Sequence, residues 1–200
     1  FTNLGIILIG LICLAEGFTN DVIAVLAPGY DEPELGATLI RMTRIIIPAQ
    51  FFFFASGLFM AVQFAKEKFG TPALAPIIYN LGIILGGILL GSRYGMVGFS
   101  WGVLAGAVCN CIIQYWGAKR LGMKLQISFE LNHPDLRRYI VLTLPLMIGL
   151  TMTFSREFFF RIFGSYLPPG GISGINYGLK IMLIPVAIFG QAIGTAAYPF

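Results

Sequence analysis

Charge is what this sequence has least of: Asp, Glu, Lys and Arg together make up 11% of its 200 residues, against about 25% in an ordinary globular domain. So few charges could not cover the core of a soluble protein of this size. Cysteine occurs three times and histidine once. Cys13, Cys109 and Cys111 all fall in apolar segments without metal-like spacing, which excludes a secreted disulfide scaffold and predicts reduced, buried thiols. The lone His133, beside Pro134, has no partner at ligand spacing and reads as a loop residue, so no metal is expected. The net charge of +4 is not gathered into a basic stripe, which argues against nucleic acid. With 57% hydrophobic residues, a disordered chain and a coiled coil are excluded as well. The sequence opens at Phe1 and closes at Phe200 amid apolar residues, and is expected to be an internal piece of a longer polytopic membrane protein.

What is present is apolar sequence in lengths that suit a bilayer. A spanning helix needs about 20 mostly apolar residues. Pro72 to Gly91 and Met96 to Ala118 meet that length without interruption, and Ile45 to Ala65 does so with Pro48 and Gln50 near its start. Three further segments carry charges: Leu4 to Leu26 with Glu16 and Asp21, Tyr139 to Leu167 with Arg156, Glu157 and Arg161, and Ile172 to Pro199 with Lys180. Six spans are predicted. Polar breaks at Pro28 to Pro33, Lys66 to Lys68, Gly91 to Arg93 and Pro168 to Gly171 separate most of them. The longest connection, from Lys119 to about Arg138, forms the expected boundary between two lobes.

Lys66, Lys68, Lys119, Arg120, Lys124, Arg137 and Arg138 all fall in the second and fourth connections. The remaining connections hold only Arg93 if Arg41 and Arg44 belong to the following helix. The positive-inside rule therefore puts the basic connections in the cytoplasm. Glycines recur every four residues at Gly82 and Gly86, Gly87 and Gly91, then Gly98, Gly102 and Gly106, as do Gly190 and Gly194. That spacing brings helix backbones together in lipid. The run Phe51 to Phe54 is expected to face lipid.

Charges inside spans are costly and need a reason. Glu157 and Arg161 lie four apart with the acid first, the favourable order for a helical ion pair. Arg156 sits on another face of that helix. Lys180 lies about 12 Å into its span with no acid within a turn, so it either snorkels, pairs with another helix or meets substrate. Arg41 and Arg44 share a helix face near the outer surface, where snorkelling would account for them. Unpaired cations facing a bundle interior suggest an anionic ligand such as phosphate, or an ion pathway. No nucleophile–base pair, metal cluster or phosphate-cradling glycine loop supports catalysis, so transport is the better class.

Several motifs then converge. Leu26-Ala27-Pro28-Gly29-Tyr30 closes the first span, and Thr71-Pro72-Ala73-Leu74-Ala75-Pro76 with Asn80 opens the third. Trp101-Gly102-Val103 through Gly106 to Gln114 marks the fourth, Pro145 with Gly149 the fifth, and Gly171-Ile172-Ser173 to Asn176-Tyr177 leads into the sixth. In this order they resemble the MurJ (MviN) family of lipid II flippases, relatives of the MATE exporters in the MOP superfamily. The resemblance covers essentially the whole sequence.

It implies an all-α, polytopic transmembrane helix bundle, a fragment of a two-lobed MATE-like transporter. Residues 1–118 would be the family's third to sixth helices, 119–138 a cytoplasmic inter-lobe connection, and 139–200 the seventh and eighth helices. The family moves the undecaprenyl-pyrophosphate-linked peptidoglycan precursor to the outer face of the bacterial inner membrane by alternating access, with cavity arginines holding the pyrophosphate. The matching position here is Lys180, four after Asn176 and five before Pro185. Acids that often flank it are replaced by Leu179 and Leu183. Ser173 matches a cavity-side serine, with helix packing as its other reading. Lys180, Arg156 and Ser173 are thus the candidate substrate contacts. The implied partners are lipid II, membrane lipids and the remaining helices of the parent chain, with no cofactor. A flippase for another polyprenyl-linked glycan would share these features, and a non-transporting membrane scaffold is the alternative of another class.

Overall fold

The computed structural model describes residues 2–29, 33–124, 134–168, 170–186 and 189. Among them every regular element is helical. In chain order these are α1 (Thr2–Gly17), α2 (Thr19–Leu26), α3 (Pro33–Ile46), α4 (Ala49–Ala65) and α5 (Gly70–Ala73). They are followed by α6 (Ala75–Tyr94), α7 (Val97–Arg120), α8 (Pro134–Gly164) and α9 (Gly171–Pro185). His133, Gly190, Gly194 and the last part of the expected sixth span lie outside the described residues.

Among the described residues, four stretches are long and apolar enough to cross a membrane: Pro33–Ala65, Gly70–Tyr94, Val97–Arg120 and Ile140–Gly164. The expected first span is broken instead of straight, because α1 and α2 meet at 75°. The bend falls between Gly17, a poor helix former, and Thr19. The Thr19 hydroxyl donates to the carbonyls of Ala15 and Glu16, each at 2.9 Å, and so occupies acceptors at the break. The second span is longer than expected. The helix runs from Pro33 through a turn at Ile47–Pro48, and carries Arg41 and Arg44 within α3.

The inside of the bundle is built mostly from small residues, with Phe59 the large apolar exception among the described residues. Large apolar side chains such as Ile88, Leu89, Ile112 and Met152 stand on its outside. Lipid tails are as apolar as leucine, so burying leucine gains little there, and close backbone contact holds the helices together instead. α7 is the hub. It packs against α3, α4 and α6 and buries Gly98, Gly102, Gly106, Ala107 and Gly117. Against α6 the approach is backbone to backbone. A Cβ at Gly82 would lie 2.5 Å from Gly106 Cα, and one at Gly102 would lie 3.0 Å from Gly86 Cα. The spacing of Gly82 and Gly86 against Gly98, Gly102 and Gly106 is therefore a packing seam, whereas a Cβ at Gly87 would meet the Phe99 ring and one at Gly91 would meet nothing within 4 Å. The reversal between α6 and α7 passes through Gly95 at φ +56°, a conformation that suits glycine.

Polar side chains lock α4 to α7. Gln63 Nε2 donates to Gln114 Oε1 at 3.0 Å and to the Gln114 carbonyl at 3.2 Å. Gln114 Nε2 donates in turn to the Thr71 carbonyl at 3.0 Å and to Asn110 Oδ1 at 3.3 Å. Gln63 and Gln114 are fully buried, and Gly117 leaves room for the first of them: a Cβ there would lie 2.6 Å from Gln63 Oε1. At the end of α7 the Arg120 guanidinium stacks 3.5 Å over the Trp116 ring.

Two expectations about side chains need correction. Phe51 to Phe54 are half-buried, and the Phe53 ring meets Tyr79 edge-on at 5.1 Å. Four successive residues sweep most of the way round a helix, so they could not all face lipid. The three cysteines are free, as expected, but Cys13 and Cys109 are exposed on the helix surface, and only Cys111 is partly covered.

Candidate functional site

α8 and α9 stand apart from the hub. α8 meets the rest of the described structure chiefly through α2, and almost none of its described side chains is buried. Where α2, α3, α8 and α9 face one another they leave a cavity of about 320 Å³. Its walls are mostly apolar, with Val22, Leu26 and Leu39 among them, and its polar lining comes from Thr43, Glu157, Arg161 and Asn176. The turn after α2, which follows the lining residue Ala27, meets the turn after α8. The Gly29 N–H donates to Ser165 Oγ at 3.0 Å, and Ser165 Oγ donates to the Ile162 carbonyl at 2.7 Å. The approach is tight, since a Cβ on Gly29 would lie 2.5 Å from the Ser165 carbonyl carbon.

Helix periodicity explains which residues reach the cavity. α9 begins after Gly170, held at φ +89°, and each residue turns the helix by about 100°. Ile172 and Asn176, four apart, both line the cavity, and Leu179 continues that ridge half-buried. Lys180 follows Asn176 by four residues, offset by about 40° and one turn further along. Its Nζ lies 5.9 Å from the centroid of the Tyr177 ring. An aromatic face thus stands within reach of a cation that has no acid nearby in sequence. Ser173 precedes Lys180 by seven residues, which places both on one exposed face of α9.

The expected site residues therefore divide. Glu157 and Arg161 come together as walls of one cavity, with no salt bridge between them among the described residues. Arg156, one residue from Glu157, is exposed and is not among the lining residues, and the same holds for Ser173 and Lys180. Leu183 is exposed. Asn176 and Thr43 are the polar wall residues that sequence reasoning did not single out. The four-residue step from Asn176 to Lys180 was the available signal for the first. Nothing in sequence tied Thr43 to α8.

The family model described as "Lipid II flippase MurJ" matches residues 1–200. The chain belongs to the MurJ family. Among curated MurJ proteins, the lipid II flippase of Burkholderia cenocepacia is 26% identical over 89% of this chain and 36% of its own length. The probable lipid II flippase of Thermotoga maritima is 26% identical over 98% of this chain and 39% of its own. A solved MurJ structure, titled as the inward closed conformation, superposes with a TM-score of 0.76 at 22% identity, covering 94% of this chain and 39% of that one. The chain thus spans a little over a third of the MurJ proteins it matches. The MurJ fold and the membrane-length helices make it a multi-pass membrane protein.

Proposed function

We propose that this chain is the part of a MurJ flippase that carries one wall of the substrate path, and that the whole protein moves lipid II to the outer face of the bacterial inner membrane. The observation that carries this reading is the family match along all 200 residues. The arrangement of α8 and α9 agrees with it. α3 to α6 gather round α7 and α1 and α2 join them through α4 and α3, whereas α8 leans on them chiefly through α2, which suits one lobe moving against another. α7 ends at Arg120, just inside the expected inter-lobe connection at 119–138, which supports reading α1–α7 and α8–α9 as parts of separate lobes.

The basic connections lie in the cytoplasm in this reading, which puts the Gly29–Ser165 contact on the outer side. That contact closes the outer end of the path while substrate enters from the cytoplasm. Lys180, and Arg156 with it, attract the pyrophosphate by charge-assisted hydrogen bonds. Ser173 adds a neutral donor on the Lys180 face. Lysine offers a point charge where arginine would grip two oxygens, so affinity here rests on charge more than on fork geometry. No bond is made or broken in the transported molecule, and the work is done by differential binding to two states of the protein.

Complementation tests the proposal. The full-length parent gene is expressed in cells depleted of their lipid II flippase, as wild type, Lys180→Ala and Lys180→Arg. Rescue by wild type and by Lys180→Arg, with failure of an equally expressed Lys180→Ala, is the expected result. Failure of a correctly inserted wild type would overturn the lipid II assignment, and rescue by Lys180→Ala would remove this cation from the path.

A further inference from the structure

The structure holds a second concentration of positive charge, away from α8 and α9. Arg41 and Arg44 from α3 and Arg93 from the last turn of α6 line one cavity of about 470 Å³, together with Ile45, Tyr94 and Val97. No carboxylate is among its described lining residues, and among the described residues no salt bridge neutralises the three guanidinium groups. Like charges on one helix face destabilise it, and Arg41 and Arg44 are such a pair. The α6 helix end accounts for Arg93 alone, because the helix dipole favours a cation there. It does not explain why two more arginines converge on the same space.

We propose that Arg41, Arg44 and Arg93 form a binding site for the phosphate or pyrophosphate group of a membrane lipid. Guanidinium groups from two helices can grip different oxygens of one such group, and its charge would offset their mutual repulsion. The remaining lining fits a lipid-borne phosphate better than a free one. Ile45 and Val97 are half-buried apolar residues, and Tyr94 offers an apolar ring with a polar tip, which suits a chain leaving the headgroup. The cavity is ample, since one water occupies about 30 Å³ of liquid. In the orientation proposed above, on which the source of the lipid rests, the site lies at the outer surface. Exposed arginines there run against the positive-inside bias. Snorkelling explains each one singly but not the convergence of three on one cavity, which an anionic ligand would offset. The lipid is then an outer-leaflet anionic phospholipid or the pyrophosphate-linked product after its transfer.

Binding, measured without transport, keeps this proposal separate from the flippase reading. The full-length chain in phosphatidylcholine nanodiscs is titrated with farnesyl pyrophosphate in one arm and with dihexanoyl phosphatidylglycerol in the other. All variants are made in a Lys180→Gln/Arg156→Gln background, which lowers the contribution of the central path and holds what remains of it constant. Each arginine near an anionic lipid group is worth about fivefold in affinity. Arg41→Gln/Arg44→Gln/Arg93→Gln should therefore weaken binding by on the order of a hundredfold. Arg93→Gln alone, the gentler variant for folding, should lose about fivefold. Loss confined to the pyrophosphate arm assigns the site to the transported lipid. Loss confined to the glycerol lipid, or of similar size in both arms, assigns it to phospholipid headgroups. Unchanged affinity for both probes in the single and triple variants overturns the proposal.

Discussion

Replacing Gly102 by alanine tests whether backbone contact sets the spacing of α6 and α7. The new Cβ would lie 3.0 Å from Gly86 Cα and 3.1 Å from Ile83 Cα. Both fall about 0.5–1 Å short of the carbon–carbon optimum of about 3.5–4.0 Å. The Gly82 carbonyl oxygen is nearer still. All three neighbours are backbone atoms, so no side-chain rotation relieves them and the helices must separate by about that amount. A gap of this size forfeits about a quarter to a half of the dispersion well at each contact along the seam. Overpacking of this kind costs about 1–3 kcal/mol, a factor of about 5–140 in the folded-to-unfolded ratio. Gly91 is the control, because a Cβ there meets nothing within 4 Å. Alanine at Gly91 should be neutral or stabilising, by at most about 1 kcal/mol from helix propensity. The assay is detergent-driven unfolding of the full-length chain in mixed micelles, followed by tryptophan fluorescence. If Gly102→Ala loses no more stability than Gly91→Ala, backbone contact does not set the seam and the reasoning fails.

Gln114→Leu takes one acceptor from the Gln63 amide, which keeps the Gln114 backbone carbonyl, and removes the donor to the Thr71 carbonyl and Asn110 Oδ1, so it should cost about 1–2 kcal/mol in the same assay. Gln63→Leu with Gln114→Leu should cost less than the sum of the singles by about 0.5–2 kcal/mol, and simple additivity would show that the buried bond contributes nothing. Gly29→Ala forces a Cβ against the Ser165 backbone. Disulfide cross-linking of Pro28→Cys to Tyr166→Cys should then fall by about fivefold or more, equivalent to about 1 kcal/mol, and an unchanged yield would contradict the tight contact. Glu157→Gln and Arg161→Gln each leave one charge of the cavity wall unbalanced. The double variant should therefore be more stable to heat than the additive sum by about 0.5–2 kcal/mol, and additive effects would show that the two charges do not interact.

Sequence made the fold legible where one physical demand dominates. Twenty apolar residues have few uses besides crossing a bilayer, so Val97–Arg120 and Gly70–Tyr94 were readable from composition alone. The seam of Gly82 and Gly86 with Gly98, Gly102 and Gly106 was readable because small residues at four-residue spacing let backbones approach, although at Gly87 the same spacing faces the Phe99 ring and at Gly91 a Cβ would meet nothing within 4 Å. The bend between Gly17 and Thr19 was not, since it involves a threonine hydroxyl bonding back to the end of the preceding helix. Long-range pairings were legible least. Arg93 was visible as a connection residue and Arg41 with Arg44 as a pair near the surface, but nothing local says that α3 packs on α7 and so brings them together. The same holds for Thr43 and Asn176, residues of separate helices that become neighbours only across the cavity. Lys180 was legible as an unexplained cation, whereas the Tyr177 ring beside it needed the helix geometry.

The stacking of Arg120 on Trp116 has a consequence for how the chain sits in lipid. From Val97 to Trp116 the helix is about 30 Å long, the thickness of a typical hydrocarbon layer. Lys119 and Arg120 follow immediately, and the Lys119 ammonium lies 5.8 Å from the Tyr115 ring. This collar of aromatic and basic groups belongs at the headgroup level and resists being drawn inward. Because α7 is bonded to α4 and seamed to α6, all three helices share its vertical position. A thinner membrane would therefore be met by tilting the trio together, and not by sliding single helices past one another.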